Sequence, residues 1–195
     1  ASMGSSVSSI FNITNASPRG LFFPPMPHND EAGWKRAIAV APHFAKAVVT
    51  NFIGSSNSNK SFEGMNYPYP IFVTMEKTSE DLSYHLTEAV MENYDQFKDS
   101  GPGMDGYQLS NQNFSWIFPY HPGAVKYYKK KGVWTSKHDK HNANLIKRQD
   151  VLAKAWQKTL KANLSGDAFK KKWLENRASS LSLIHISEPT RRSTI

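Results

Sequence analysis

Two histidines three residues apart, His138 and His141 in the run HDKH, come nearest to metal-ligand spacing. On a helix, positions i and i+3 share a face, so two imidazoles there could hold one ion. No third ligand stands at a recognisable spacing, and HExxH is absent. The pair reads better as two solvent-facing histidines at a helix start. His121, in YHPG, is a candidate base, but no nearby Ser or carboxylate suggests a triad. A structural histidine ahead of a helix-opening proline suits that segment better. No GxSxG, P-loop or GxGxxG pattern occurs. The chain has no cysteine, which excludes disulfides, thiolate chemistry and Cys-based zinc. Gly4, Ser5 and Ser6 suit either a helix N-terminus that presents N–H groups to an anion or a plain loop. The expectation is therefore no catalytic residue, no metal site and no cofactor.

The elements around these residues follow from pattern. Ile71 to Thr74 are β-branched or aromatic and follow Pro68 and Pro70, so they predict a strand. Thr78 or Ser79 caps the helix that follows, with Glu80 and Asp81 in its first turn. Leu82, Leu86, Ala89, Val90, Asn93, Tyr94 and Phe97 make one mostly apolar stripe on it. A strand entering a capped amphipathic helix is an α/β unit. Upstream, Leu21 to Phe23 predict a short strand, and Asn29 or Asp30 caps a helix from Glu31 to about Val40. Phe44 to Ile53 predict a second short element, followed by a polar loop over 54–64. Downstream, Pro122 suits a first helical turn and Gly132 a left-handed stop, with Val125 and Tyr128 buried between them. Two more helices are predicted, from about Asp139 to Ala162 and from Ala168 to about Arg177.

Composition bounds the function. The 195 residues are 39% hydrophobic and 12% aromatic, enough for a packed core. No apolar run approaches the roughly 20 residues of a membrane span. The net charge of +8 is uneven: Lys126 to Arg177 holds fifteen Lys or Arg against four acidic residues. That third reads as solvated helix faces, with nucleic acid or an anionic membrane as the competing partner. Aromatics among lysines at 127–134 could stack bases, but core packing suits them better. Leu181 to Arg191, LSLIHISEPTR, resembles an in-frame translation of a transposase-type sequencing adapter. Residues 181–195 are accordingly read as a non-native tail with no packing partner.

At FPYHPGAVKYYKKKG the sequence meets a family. This segment resembles the HPGA-x-x-YY-K-x-x-G pattern of TAXI proteins, the solute-binding subunits of tripartite ATP-independent (TRAP) transporters. PRGLFFPPMPHNDEAGWKRAIAVAPHF is similar to that family's strand and helix ending in APYF. YPYPIFVTMEKTSEDLSYHLTEAVMENYDQF and FKKKWLENRASSL resemble two further segments, in the same order. The resemblance implies an α/β, partial two-lobed periplasmic-binding-protein-like (type II) fold with a helix-rich C-terminal half. Residues 1–66 would be the remainder of the second lobe, and 67–180 the hinge and the return to the first lobe. The N-terminal half of such a protein would be lacking here. The implied role is a periplasmic receptor that captures an organic acid or amino acid such as glutamate and delivers it to membrane permease subunits. The implied ligand-binding residues are Gly4, Ser5, Ser6, Tyr67 and Tyr69, with no catalysis and no nucleic acid. A basic nucleic-acid-binding protein and the C-terminal part of a hydrolase are the competing readings.

Overall fold

The computed structural model of the chain describes residues 6–55, 60–67, 71–101 and 103–182. Helix α1 spans Ser9–Asn15 and α2 spans Glu31–Val40. Strands β1 (Ala45–Val49) and β2 (Phe62–Asn66) form an antiparallel pair, with Ala45 opposite Asn66 and Val49 opposite Phe62. Helices α3 (Glu80–Glu92) and α4 (Tyr94–Phe97) follow, then 3-10 turns at Met104–Tyr107 and Leu109–Asn111. Helices α5 (Pro122–Lys130), α6 (Ser136–Leu160) and α7 (Gly166–Ser182) complete the described chain. This mixture of helices with a small sheet is consistent with part of an α/β fold.

Local signals set most helix ends. The Asp30 carboxylate accepts the Gly33 N–H and caps α2, while the Ser79 hydroxyl accepts the Leu82 N–H and caps α3. Gly132, at φ 72°, stops α5 in the left-handed conformation that glycine adopts without strain.

Apolar packing gathers in three places. Phe23 stacks on Phe62 and meets Phe11 and Phe52 edge-on beside the hairpin. Tyr127, Tyr128 and Trp134 form a buried centre covered by Tyr84, Met91, Phe114 and Tyr120. Trp156 meets Phe169 and Trp173 edge-on between α6 and α7, where Asn176 donates to the buried Thr159 hydroxyl.

Several expectations need correction. Residues 71–74 form no ladder: a strand exists by pairing, and β1–β2 is the sheet among the described residues. Phe72 and Val73 are exposed instead. Residues 21–23 form no strand either, because Phe23 serves as an aromatic plug and the one nearby ladder-like bond runs from Met26 N–H to the Glu63 carbonyl. The loop expected over 54–64 includes the start of β2. The stripe of Leu82 and Leu86 is exposed, and α3 turns Ser83, Tyr84 and Met91 toward α5. The cause is a close helix contact. A Cβ on Gly123 would collide with the Glu80 carbonyl oxygen and stand 2.6 Å from the Tyr84 nitrogen. Glycine lets the first turn of α5 lie against the first turn of α3. Helix α6 begins earlier than predicted because His138 reaches back, its Nδ1 accepting the Thr135 N–H at 3.1 Å. Helix α7 runs on to Ser182, and Leu181 is buried at 1% exposure, so the helix takes in the first two residues assigned to the tail and the core takes in the first.

Candidate functional site

Tyr67 follows directly from the last residue of β2, whose partner in the ladder is Ala45. That register brings Tyr67 beside the two residues that precede β1. Its ring meets His43 and Phe44 edge-on, with centroids at 5.8 and 5.6 Å. The Trp116 indole N–H donates to the His43 carbonyl at 2.9 Å, and the Trp116 carbonyl lies 2.6 Å from His141 Nε2. Asn142, next along α6, accepts the Tyr120 N–H at 2.7 Å. The hairpin end, the loop before α5 and the first turns of α6 thus converge on one aromatic junction. Tyr67 is 44% exposed there. The junction gathers ring faces with imidazole and phenol groups.

The serine group sits elsewhere. The Ser6 hydroxyl donates to the Asn51 carbonyl at 2.7 Å, and the Ser6 carbonyl accepts the Ile53 N–H. Ser8 caps α1, so the helix starts beyond Ser6. Asn51 and Ile53 lie past the far end of β1. Ser6 and Tyr67 are therefore at opposite ends of the hairpin, with the whole five-residue strand β1 between them. The fold does not bring them onto one small ligand. Gly4, Ser5 and Tyr69 lie outside the described residues.

The histidines singled out by spacing hold the backbone. His121 caps α5, its Nδ1 accepting the Gly123 N–H while Nε2 faces the Thr78 carbonyl at 3.1 Å. Both ring nitrogens are thereby occupied, which selects the Nε2–H tautomer. His138 and His141 turn their bonded nitrogens to different backbone groups, Thr135 N–H and the Trp116 carbonyl. Among the described residues no three His, Asp or Glu side chains gather as a metal would require.

Charge perturbation concentrates on the α3–α5 seam. Hydrogen bonds from Lys130 and the Tyr84 hydroxyl hold Glu88 below the usual carboxylate range, and those from Lys131 and the Tyr127 hydroxyl do the same for Glu92. Asp139 is lowered by Lys129 and the Trp134 indole. Burial pushes the Tyr120 phenol up to about 12 and raises Tyr127 and Tyr128 as well. The carboxylate shifts arise from ion pairs and hydrogen bonds between helices, and together these contacts clamp α5 to α3 and α6.

Tyr67 with His43, Phe44 and Trp116, the α3–α5 seam and the histidine–proline–glycine turn fall within residues 35–132, a stretch that matches the NMT1-like family, while His141 and Asn142 lie beyond it. The chain belongs to the NMT1-like family. It is a periplasmic-binding-like family related to solute-binding proteins, which implies a small-molecule ligand and a typically periplasmic or extracellular setting. No curated protein and no solved structure matches the chain. No helix among the described residues is long and apolar enough to cross a membrane. The NMT1-like stretch runs from α2 to the glycine that ends α5, and α6 and α7 lie beyond it. Pattern reading missed His43 and Phe44 as neighbours of Tyr67, and Trp116 as the partner of the His43 carbonyl. The APHF run held the signal for two of them; Trp116 had none, because its place depends on a bond across 73 residues.

Proposed function

We propose that this NMT1-like chain forms part of the receptor subunit of a TAXI-type TRAP transporter, binding an organic acid or amino acid and delivering it to membrane permease subunits. The observation that carries the reading is the position of Tyr67, a half-exposed phenol at the end of β2 within the matched stretch. In the family it resembles, that place is the hinge beside the ligand. Such a receptor needs binding and release, not turnover, and His121 fits this, with both ring nitrogens engaged in positioning α5. Of the candidate ligand contacts, Tyr67 is the best placed. Ser6 would act only in a second contact, because its hydroxyl is committed to Asn51. The remaining wall of the cleft is assigned to sequence that TAXI proteins carry ahead of this part.

The test is calorimetry with glutamate and a panel of organic acids. It is run on this chain and on a protein in which a TAXI N-terminal half precedes it. The longer protein is expected to bind one acid, and Tyr67→Ala to weaken it about tenfold, the scale of one lost hydrogen bond to a charged group. Unchanged affinity in Tyr67→Ala would remove that residue from the site. Chemical turnover of any bound acid would overturn the receptor reading.

A further inference from the structure

The basic C-terminal third divides into two kinds of lysine. On α5, Lys126, Lys129, Lys130 and Lys131 are paired with Glu80, Asp139, Glu88 and Glu92 at 2.8–3.2 Å. Those charges are spent inside the fold. On α6, Lys140, Lys147, Lys154, Lys158 and Lys161 are exposed, and none has an ion-pair partner among the described residues.

Their spacing of seven, seven, four and three places all five within about 60° of one another around the helix, at about 100° per residue. They form one line about 30 Å long, at about 1.5 Å rise per residue. Asp150 is the one acidic residue between Lys140 and Lys161. A second line runs beside the first. Ile146, Ala153 and Leu160 each precede a lysine of the stripe, repeat at seven residues and are exposed, Ile146 at 43% and Leu160 at 47%. Where the stripe ends, at the turn into α7, Leu164 is also 42% exposed.

A continuous row of unpaired ammonium groups beside a row of exposed aliphatic side chains is the pattern of a helix that lies on a charged interface. The row is made of lysines, point charges suited to diffuse attraction by a plane of phosphates more than to bidentate pairing with individual carboxylates. A straight single-helix array also lacks the aromatic stacking platforms that single-stranded nucleic acids use.

We infer that the exposed face of α6 docks on an anionic phospholipid surface. The five lysines lie over headgroup phosphates, and Ile146, Leu160 and Leu164 reach the boundary with the acyl chains. This face is separate from the Tyr67 junction and does not depend on which solute the protein carries.

The test is co-sedimentation of the full 195-residue chain with vesicles. Mixed phosphatidylglycerol–phosphatidylcholine vesicles are expected to bind it, and pure phosphatidylcholine vesicles to bind far less. Binding is expected to fall as salt shortens the screening length from about 10 Å to about 3 Å. Lys147→Gln, Lys154→Gln and Lys158→Gln together are expected to lower partitioning by about fivefold per lysine, roughly a hundredfold in all. Lys35→Gln with Lys60→Gln, exposed and off α6, is expected to change it little. Circular dichroism confirms that each variant folds. Equal binding to neutral and anionic vesicles would overturn the inference, and that comparison needs no variant. Binding that survives the triple substitution, or tighter binding to single-stranded DNA than to anionic vesicles, would overturn it too.

Discussion

Gly123 and Tyr127 show how much of this fold hangs on single side chains. A methyl group at position 123 collides with backbone atoms of α3, which cannot swing aside as a flexible side chain would. Gly123→Ala is expected to cost about 1–3 kcal/mol, the usual scale of overpacking, and to lower the urea midpoint accordingly. An unchanged midpoint would mean that α5 does not sit against the first turn of α3. Tyr127 is fully buried, yet its hydroxyl reaches Glu92 at 2.9 Å. Tyr127→Phe leaves Glu92 still paired with Lys131, so the expected loss is only about 1 kcal/mol. A loss several times larger would show that the phenol, and not the ring, anchors the core.

Helices α3 and α5 are joined by carboxylates whose ionised forms the fold favours. Glu88 and Glu92 are held below an ordinary 4.5, and Asp139, which ties α5 to α6 through Lys129, below 3.8. A group whose folded-state value is depressed stabilises the fold above its unfolded-state value, and this contribution fades as pH falls through the folded value. Melting temperature is therefore expected to fall as pH drops below about 4.5, and less steeply in Glu88→Gln or Glu92→Gln. Parallel acid profiles for the wild type and both variants would count against the clamp. The tyrosines act at the other end. Raised phenol values mean that the unfolded chain ionises first, so stability is lost as pH climbs past about 10. Helix α7 carries its own prediction. A chain ending at Ser180 loses the buried Leu181, whereas one ending at Ser182 keeps it. The shorter chain is expected to be less stable by about 2–5 kcal/mol, the range of large core truncations, and equal melting of the two would disprove that packing.

Across the whole molecule, stability is unevenly spread. The Tyr127–Tyr128–Trp134 centre is enclosed on several sides, while residues 71–75 have no ladder and are exposed, Val73 at 81% and Met75 at 79%. Amide hydrogen exchange is expected to be slowest along α5 and fast at 71–75. Strong protection of those five amides would reveal a strand partner. The exposed Leu82 and Leu86 belong to the same picture. Substituting either by Gln is expected to change stability by no more than about 0.5 kcal/mol, as for surface positions.

Residues that act on near neighbours were legible in the chain. Asp30 and Ser79 cap helices because a short polar side chain meets an N–H three residues on, and Gly132 ends a helix because only its own backbone must turn. The HPGA run likewise announced a helix start, and with its neighbours the family resemblance. Whatever depended on distant partners was not legible. Ile71 to Thr74 have strand-forming residues, but strandhood belongs to a pair, and β1 takes β2 as its partner. The leucines of α3 fit a helix period, yet the close approach at Gly123 selects the neighbouring face for burial. Ser6 and Tyr67 were expected at one ligand; the antiparallel register of five residue pairs sets them at opposite ends of the hairpin. The lysines of α5 and α6 are chemically alike in the sequence. Only folding puts carboxylates within reach of the first set and leaves the second facing outward, because charge pairing is decided by distances between elements and not along the chain.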